Sequence, residues 1–490
     1  MSARPHLVIF NPDQWRGDAL GHMGNPAVHT PNLDAFAAQD AVSFRNAFCQ
    51  NPVCTPSRCS FMTGWYPHVR GHRTMHHMLQ PDEPCLLKRL KDHGYYVWWG
   101  GKNDLVPRQN GFSAYCDCKN SRLPWPVQPG THDLLRQRAQ RGDPDFYSFY
   151  LGELPKEPGE EFYRDGDWGH VAAAIEFLAN YDGRKPLCLY LPLHAPHPPY
   201  AVEEPWYSMN DRARVPPPLP PPPQWRGKPR LLRGIHRRQG LESWSEARWR
   251  ELRATYYGMC SRTDALFGRL VQALKARGLY DDTAVFVFSD HGDFTGDYGL
   301  VEKTQNTFED CLTRVPLLVK PPRALPVKPG VNEALVELID FTATVEALAG
   351  LPREYDHFGR SLLPLIAGEA TAHRDAVFCE GGRLEHEEQA SERETASSTD
   401  PAEPYWPRVN LQVSDPVAHT KAVMCRTAEW KYVYRLYEDD ELYDLRRDPG
   451  ELDNRIGDPS CAPALAQLKE RLLRFFVETA DVVPLQTDQR

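Results

Sequence analysis

Short apolar runs recur along the chain, and each is followed by a polar or glycine-rich turn. Between these runs, apolar residues return with helical spacing over residues 168–181, 246–277 and 331–348. The apolar runs have the length of buried strands, and they cover residues 7–10, 95–99, 187–191, 285–288 and 315–319. Strands that alternate with helices predict an α/β fold with a largely parallel sheet covered on both faces.

The pattern changes in the last quarter of the chain. Residues 430–435 and 441–445 have the composition of an antiparallel hairpin, and a helical pattern follows at about 463–479. A chain of 490 residues also exceeds what one hydrophobic core usually serves. We therefore predict a large α/β domain over residues 1–375 and a small C-terminal subdomain over residues 376–490.

Side chains that can take part in catalysis or bind a metal ion directly follow four of the predicted strands. In open parallel sheets, ligands bind just beyond the carboxyl ends of the strands. A purely structural α/β domain would not need such residues at these positions, so we expect them to share a site. They lie in the segments Asn11-Pro12-Asp13, Gly101-Lys102-Asn103-Asp104, His194-Ala195-Pro196-His197 and Ser289-Asp290-His291.

Composition excludes some classes of function. The formal net charge of −9 provides no excess of positive charge that would bind nucleic acid or an acidic membrane surface. No stretch approaches the 18 consecutive apolar residues of a membrane span, and no segment like a signal peptide precedes the first strand. The twelve cysteines do not have the spacing of a disulfide framework. We predict a cytoplasmic protein without nucleic-acid or membrane partners. The polar stretch 385–407 is predicted to be a mobile loop or part of the rim of a site.

Cys54 stands in the most informative segment, Asn51-Pro52-Val53-Cys54-Thr55-Pro56-Ser57-Arg58. Pro56 suits the first turn of a helix, so Cys54 lies next to a helix N-terminus, where free N–H groups favour an anion. Arg58 is close enough to pair with that anion. Taken alone, a cysteine in this place is more often a redox or structural thiol than a catalytic one.

Asp13, Asp290 and His291 offer two carboxylates and one imidazole. Alone, Asp13 would be a turn residue, and the pair at 290–291 would be a helix cap beside a surface histidine. Together they form a plausible ligand set for a divalent cation. An oxygen at position 54 would add a further ligand.

The order of these motifs resembles the sulfatase family, within the alkaline phosphatase superfamily, over nearly the whole chain. The resemblance rests on an aspartate after the first strand, Cys-X-Pro-Ser-Arg at 54–58, Gly-Lys at 101–102, Pro-His-X-Pro at 196–199, Asp-His-Gly at 290–292, Lys303, and Glu-Leu-Tyr-Asp-Leu at 441–445. It implies a mixed sheet between helices and a small C-terminal four-stranded antiparallel sheet. It also implies that a formylglycine-generating enzyme converts Cys54 to formylglycine.

The resemblance also implies roles for single residues. Asp13, Cys54, Asp290 and His291 would bind one divalent cation, for which calcium is the first choice and manganese the alternative. The residues that would contact the sulfate or the nucleophile are Arg58, Lys102, His197 and Lys303, of which the last three would bind the substrate. Without it, Lys102 and Lys303 would be read as solvated surface lysines.

Three features depart from the usual pattern. Pro12 replaces the first of two adjacent aspartates, His291 stands where many members have asparagine, and Asp104 replaces a histidine. The first two changes resemble the subgroup of choline sulfatases and phosphonate monoester hydrolases. Asp104 would take over the role of the missing histidine as a base.

Three functions remain open from the sequence. The first is hydrolysis of a small-molecule sulfate ester by a formylglycine diol, with His197 or Lys303 protonating the departing alcohol. Of these two, His197 is favoured because donation of a proton at neutral pH is the usual role of a histidine. The second is hydrolysis of a phosphonate monoester or phosphodiester by the same diol. The third is a catalytically silent anion-binding protein, which the retained Cys54 and Arg58 argue against. A homo-oligomer is compatible with each of them.

Overall fold

The computed structural model describes residues 4–140, 142–487 and 489. Its strands are β1 His6–Asp13, β2 Val42–Phe48, β3 Tyr96–Gly100, β4 Cys118–Asn120, β5 Tyr150–Glu153, β6 Leu187–Pro196, β7 Tyr200–Val202, β8 Thr283–Phe288, β9 Arg314–Val315, β10 Leu317–Lys320, β11 Gly330–Glu337, β12 Val377–Gly381, β13 Ala422–Arg426, β14 Trp430–Arg435 and β15 Glu441–Asp444.

The α-helices are named in the same way, in chain order. They are α1 Pro31–Gln39, α2 Cys54–Thr63, α3 Pro67–Arg70, α4 Leu86–Asp92, α5 Thr131–Gln140, α6 Gly166–Asn180, α7 Trp206–Met209, α8 Arg230–Gln239, α9 Glu246–Ala276, α10 Asp310–Thr313, α11 Asp340–Ala349, α12 Leu363–Ile366, α13 Trp406–Ser414 and α14 Ala462–Thr479. Within the described residues, none of these helices is long and apolar enough to cross a bilayer.

The main sheet has the strand order β11-β2-β10-β8-β1-β6-β3-β4, and β9 pairs with β2. Strand β1 pairs in parallel with both β6 and β8, whereas β10 is antiparallel to its neighbours β2 and β8. The predicted large, mostly parallel mixed sheet between helices is therefore confirmed. The central position of β1 brings its carboxyl end to the middle of one sheet edge.

Strand β1 is apolar on both faces because the sheet is covered on both sides. Leu7 and Ile9 pack into one core, and Val8 and Phe10 pack into the opposite one. The Phe10 ring contacts Phe267 of the long helix α9, with 5.4 Å between ring centroids. This double burial explains why the strand is a continuous apolar run rather than an alternating one.

One predicted helix is wrong in its first half. Residues 331–348 were expected to be helical, but β11 occupies Gly330–Glu337 and helix α11 begins only at Asp340. Strand β11 pairs in parallel with β2. The consecutive residues Ala334, Leu335 and Val336 are all buried, so the strand lacks the polar alternation that separates a strand from a helix.

The C-terminal sheet has the order β12-β13-β14-β15 and is antiparallel throughout. It contains the predicted hairpin, and helix α14 covers one of its faces. The Phe475 ring of α14 stacks on Phe378 of β12 with a centroid distance of 3.9 Å. The small antiparallel subdomain implied by the resemblance is thus present.

Candidate active site

Cys54 is the first residue of helix α2, and it lies almost completely buried. Val53 has an extended backbone, and its carbonyl accepts the first hydrogen bond of the helix from Ser57 N at 3.1 Å. The Ser57 hydroxyl donates to the carbonyl of Asp290 at 2.6 Å. This bond joins the start of α2 to the loop that follows β8, so that Cys54 faces the end of β1.

Arg58, one turn later on α2, binds both carboxylates of the site. Its Nη2 lies 3.0 Å from Asp13 Oδ2 and 2.8 Å from Asp290 Oδ2, and Nη1 donates to Asn11 Oδ1 at 3.0 Å. Burial would lower the pKa of Arg58, but Asp290 above all holds it well above the ordinary value. The guanidinium has no exposed surface, so it lies on the protein side of the two carboxylates.

Asp13, Cys54, Asp290 and His291 bring four ligand-type atoms within 4.8 Å of one another. The Cys54 Sγ lies 3.2 Å from His291 Nε2 and 3.5 Å from Asp13 Oδ1. His291 Nδ1 lies 2.9 Å from the carbonyl of Gly292 and donates to it, so Nε2 keeps its lone pair toward the cluster. Burial also lowers the pKa of His291. The four predicted ligands therefore fit a divalent cation.

Lys102, which follows β3, reaches the same cluster. Its Nζ lies 2.6 Å from Asp13 Oδ2, 2.8 Å from Asp104 Oδ2 and 3.8 Å from Cys54 Sγ. Burial would lower the pKa of Lys102, but Asp104 and Asp13 hold it well above the ordinary value. Burial would raise the pKa of Asp104, but Lys102 holds it below the ordinary value. Both groups are therefore charged at neutral pH.

Lys303 and His197 form a second contact pair of the site. Lys303 Nζ lies 3.0 Å from His197 Nε2 and 2.7 Å from both Gln14 Oε1 and Glu302 Oε1. Burial would lower the pKa of Lys303, but the neighbouring Cys54 and Glu302 hold it above the ordinary value. Burial first, and then Lys303, holds the pKa of His197 well below its ordinary value. The pair is thus an ammonium beside a neutral imidazole.

A cavity of about 320 Å³ opens above these groups. Of the predicted site residues, Cys54, Lys102, Asp104, His197 and Lys303 line it. Asp13, Arg58, Asp290 and His291 have no exposed surface, and Asp13 and His291 contact Cys54. The wall contains residues that the sequence did not single out, namely Met75, His76, His132, Glu392, Thr395, Ser397, Tyr405, Arg408 and Val409.

The wall on the side of His197 is polar and aromatic. The His132 ring lies 6.0 Å from the His197 ring and 6.1 Å from the Tyr405 ring, measured between centroids. Arg408 lies 3.5 Å from Glu302 and 3.4 Å from Glu392. Much of this wall belongs to the stretch predicted as a loop or rim. His132 and Arg408 follow no predicted strand, so no pattern in the sequence indicates either residue.

The ligand cluster, the two ammonium groups and the cavity above them can bind an anionic group and polarise it. The family model described as Sulfatase matches residues 5–351 of the chain. The chain therefore belongs to the sulfatase family, and by class it is a sulfuric ester hydrolase.

Known relatives agree with this assignment. The chain is 27% identical to an arylsulfatase K of Danio rerio, over 98% of this chain and 85% of the relative. It is 26% identical to a choline-sulfatase of Rhizobium meliloti, over 94% and 83% respectively. Its fold is similar to the crystal structure of a phosphonate monoester hydrolase of Agrobacterium radiobacter, with a TM-score of 0.75, 23% identity and coverage of 99% and 100%.

Proposed function

We propose that the protein hydrolyses a small-molecule sulfate ester with one divalent cation and with a formylglycine derived from Cys54. The observation that carries this proposal is the position of Cys54, which contacts Asp13, His291 and the Lys102 ammonium and lines the same cavity as Lys303. An unmodified thiol fits the chemistry poorly. Burial and Asp13 raise the pKa of Cys54, so the thiol is neutral and weakly nucleophilic.

Formylglycine would supply a hydrated aldehyde, and one of its hydroxyls, after losing its proton to solvent, would attack the sulfur in line. A cation held by Asp13, Asp290 and His291 would supply positive charge next to that oxygen and to the sulfate. The carboxylates favour calcium, whereas the imidazole suits manganese better. We propose calcium as the first choice. Arg58 fixes the direction of both carboxylates through its two short contacts with them.

Lys102 and the Lys303–His197 pair would act on the substrate from two sides of the cavity. The Lys102 ammonium holds anionic sulfate oxygens. The sequence favoured His197 as the proton donor, but its neutral imidazole accepts from Lys303. We therefore assign the donated proton to Lys303, with His197 holding the ammonium in place. The departing alcohol oxygen takes this proton as the S–O bond breaks.

The covalent sulfate would leave by cleavage of its C–O bond. Asp104 is a carboxylate beside Lys102 and lines the same cavity. It would accept the proton of the second hydroxyl while sulfate departs and the aldehyde is restored. Serine at position 54 has no second hydroxyl on the same carbon, and it would remain as a stable sulfate ester.

The proposal is tested by producing the chain together with a formylglycine-generating enzyme. Peptide mass should show the aldehyde at position 54, and aryl sulfate turnover should rise in proportion to its fraction. Cys54→Ala should abolish turnover, whereas Cys54→Ser should release one alcohol per enzyme and then stop. Full activity from a sample with an unmodified thiol would rule out the assigned nucleophile.

A second candidate is hydrolysis of a phosphonate monoester or phosphodiester at the same site. It is favoured by the pairing of Asp290 with His291 at the cluster, which is the feature that departs from most sulfatases. These substrates and sulfate monoesters all present a tetrahedral anion. The kcat/KM values for an aryl sulfate, an aryl phosphonate and a phosphodiester, measured on one preparation, would rank the two functions.

We also propose a reducing compartment, the cytoplasm, because all twelve cysteines are free thiols. We retain the division into residues 1–375, as the catalytic domain, and residues 376–490. Both parts contribute to the cavity, since Tyr405 and Arg408 line it beside Cys54. A protein made of the first part alone should therefore lack one wall of the substrate site.

A further inference from the structure

Two amide side chains lie on either side of Asp13, and each accepts a hydrogen bond from a different positively charged side chain of the site. The Asn11 Oδ1 accepts a hydrogen bond from Arg58 at 3.0 Å, and the Gln14 Oε1 accepts one from Lys303 at 2.7 Å. Asn11 and Gln14 are completely buried. Buried side chains do not touch a substrate, so we expect Asn11 to act on the reaction through Arg58 and Gln14 to act through Lys303.

The amide of Gln14 has a single satisfactory orientation. Its Nε2 donates to Asp293 Oδ2 at 2.5 Å, while its oxygen faces the ammonium of Lys303. An ammonium only donates, so exchanging the amide oxygen and nitrogen would place two donors against each other and break the bond to Lys303. Gln14 therefore presents an acceptor to Lys303 and has no second choice.

Asp293 continues the connection back to Lys303. Its Oδ1 accepts from the hydroxyl of Tyr200 at 2.7 Å, and that hydroxyl accepts from the backbone N–H of Glu302 at 3.0 Å. Glu302 directly precedes Lys303. Gln14, Asp293 and Tyr200 thus form a chain of hydrogen bonds from the Lys303 ammonium to the N–H of Glu302, which holds both the side chain and the preceding backbone of Lys303.

The backbone of Gln14 supports the same conclusion. Its φ angle is +67° and that of Glu302 is +70°, in the left-handed region that non-glycine residues rarely adopt. Glycine would adopt this angle without strain. Gln14 is held there by a bond from its N–H to Asp290 Oδ1 at 3.1 Å and by the Tyr256 hydroxyl, which donates to its carbonyl at 2.8 Å. The strained backbone aims the amide at Lys303, a use typical of functional sites.

We propose that Gln14 is the positioning residue for Lys303, and that it fixes the ammonium against His197 so that protonation of the departing alcohol depends on a residue that never touches the substrate. Asn11 positions Arg58 in the same way, and Arg58 in turn contacts the two carboxylates of Asp13 and Asp290. This inference rests on the proposed hydrolysis of sulfate esters. It adds a residue that decides how strongly the rate depends on the leaving group.

The test uses Gln14→Met, which keeps the length of the side chain and removes both hydrogen bonds. The kcat/KM values are measured for aryl sulfates that span a wide range of leaving-group pKa. We expect a loss of about 10- to 100-fold for the least activated ester and less than about threefold for the most activated one, because a proton donor matters most when the leaving oxygen is basic. Asn11→Leu is the matched variant, and it should slow all esters by a similar factor.

A second variant guards against misfolding. Gln14→Gly removes the same two bonds and relieves the strained φ angle, and it should give the same steeper dependence on the leaving group. Metal content and thermal unfolding are recorded for each variant, so that a damaged cation site is recognised. An equal loss for every ester in both Gln14 variants overturns the inference while the proposed function stands. A wild-type protein that is inactive on all three ester classes overturns both.

Discussion

Lys102 and Lys303 are two buried ammonium groups with different tasks in the proposed reaction. Lys102 is bound by Asp13 and Asp104, whereas Lys303 contacts His197 and Glu302. Both line the cavity around Cys54. Their partners differ in kind, because Lys102 touches a proposed cation ligand and Lys303 touches an imidazole on the wall. The two lysines should therefore respond differently to the chemistry of the ester.

This difference gives a prediction for single substitutions. Lys303→Ala and His197→Ala should slow alkyl sulfates by about 10²- to 10⁴-fold, as expected for loss of a general acid, and should affect activated aryl sulfates much less. Lys102→Ala should slow both classes by similar factors, since it serves the sulfate itself. Rates for both ester classes in each variant are the measurement. If all three variants lose the same factor on both classes, the assignment of roles is incorrect.

Four of the residues that sequence reasoning found share one property. Asp13 ends a strand of the main sheet and Lys102, His197 and Asp290 each follow one, so the topology brings them to one edge. The wall residues have no such rule. Tyr405 reaches the cavity only because a long irregular segment folds over it, and the conformation of that segment depends on contacts distant in sequence.

At the scale of elements, the least predictable region was the junction of β11 and α11. There Asp340 binds four groups at once. Its carboxylate accepts from the backbone N–H groups of Glu337 at 3.0 Å and Arg360 at 2.8 Å, and it lies 3.0 Å from Arg374 Nε and 3.1 Å from His373 Nε2. Burial would raise the pKa of Asp340, but Arg374 above all holds it below the ordinary value. One aspartate thus fixes where the strand ends and the helix begins.

The lowered pKa has a consequence for stability. As pH falls, the unfolded chain binds the proton of residue 340 before the folded protein does, so the contribution of Asp340 is present above about pH 4 and is lost below it. Asp340→Asn should lower the free energy of unfolding by about 3 kcal/mol at pH 7, since it leaves buried Arg374 without its main partner. Urea unfolding of both proteins between pH 7 and pH 3 is the measurement, and the difference should shrink as pH falls. A difference that grows toward low pH would contradict the assigned role.

At the scale of the whole molecule, the proposed cation connects separate parts of the chain. Asp13 ends β1, Cys54 begins α2, and Asp290 and His291 follow β8. These segments are far apart in sequence, so the unfolded chain does not contain the complete site. A cation that binds only the folded protein stabilises it by mass action.

Removal of the cation should therefore lower activity and stability together. With calcium at 100 times its Kd, the free energy of unfolding should exceed that of the chelated protein by about 2.7 kcal/mol. Thermal unfolding against calcium and manganese concentration measures this effect and ranks the two ions. Asp290→Asn should flatten the dependence on both ions. A melting temperature that stays the same after chelation and after addition of either ion would contradict the proposed site.

The burial of Cys54 also limits the period in which another enzyme could reach this residue. The thiol is 1% exposed, and the cavity above it is completed by Tyr405 and Arg408, about 350 residues later in the chain. At synthesis rates of about 5–20 residues per second, that interval lasts roughly 20–70 s. In the folded protein Cys54 is the buried first residue of helix α2, so an enzyme that carried out the proposed conversion would have to act before this helix and the cavity above it form. Under the proposed function, folding and conversion would compete, and a chain that folded first would retain an unmodified Cys54.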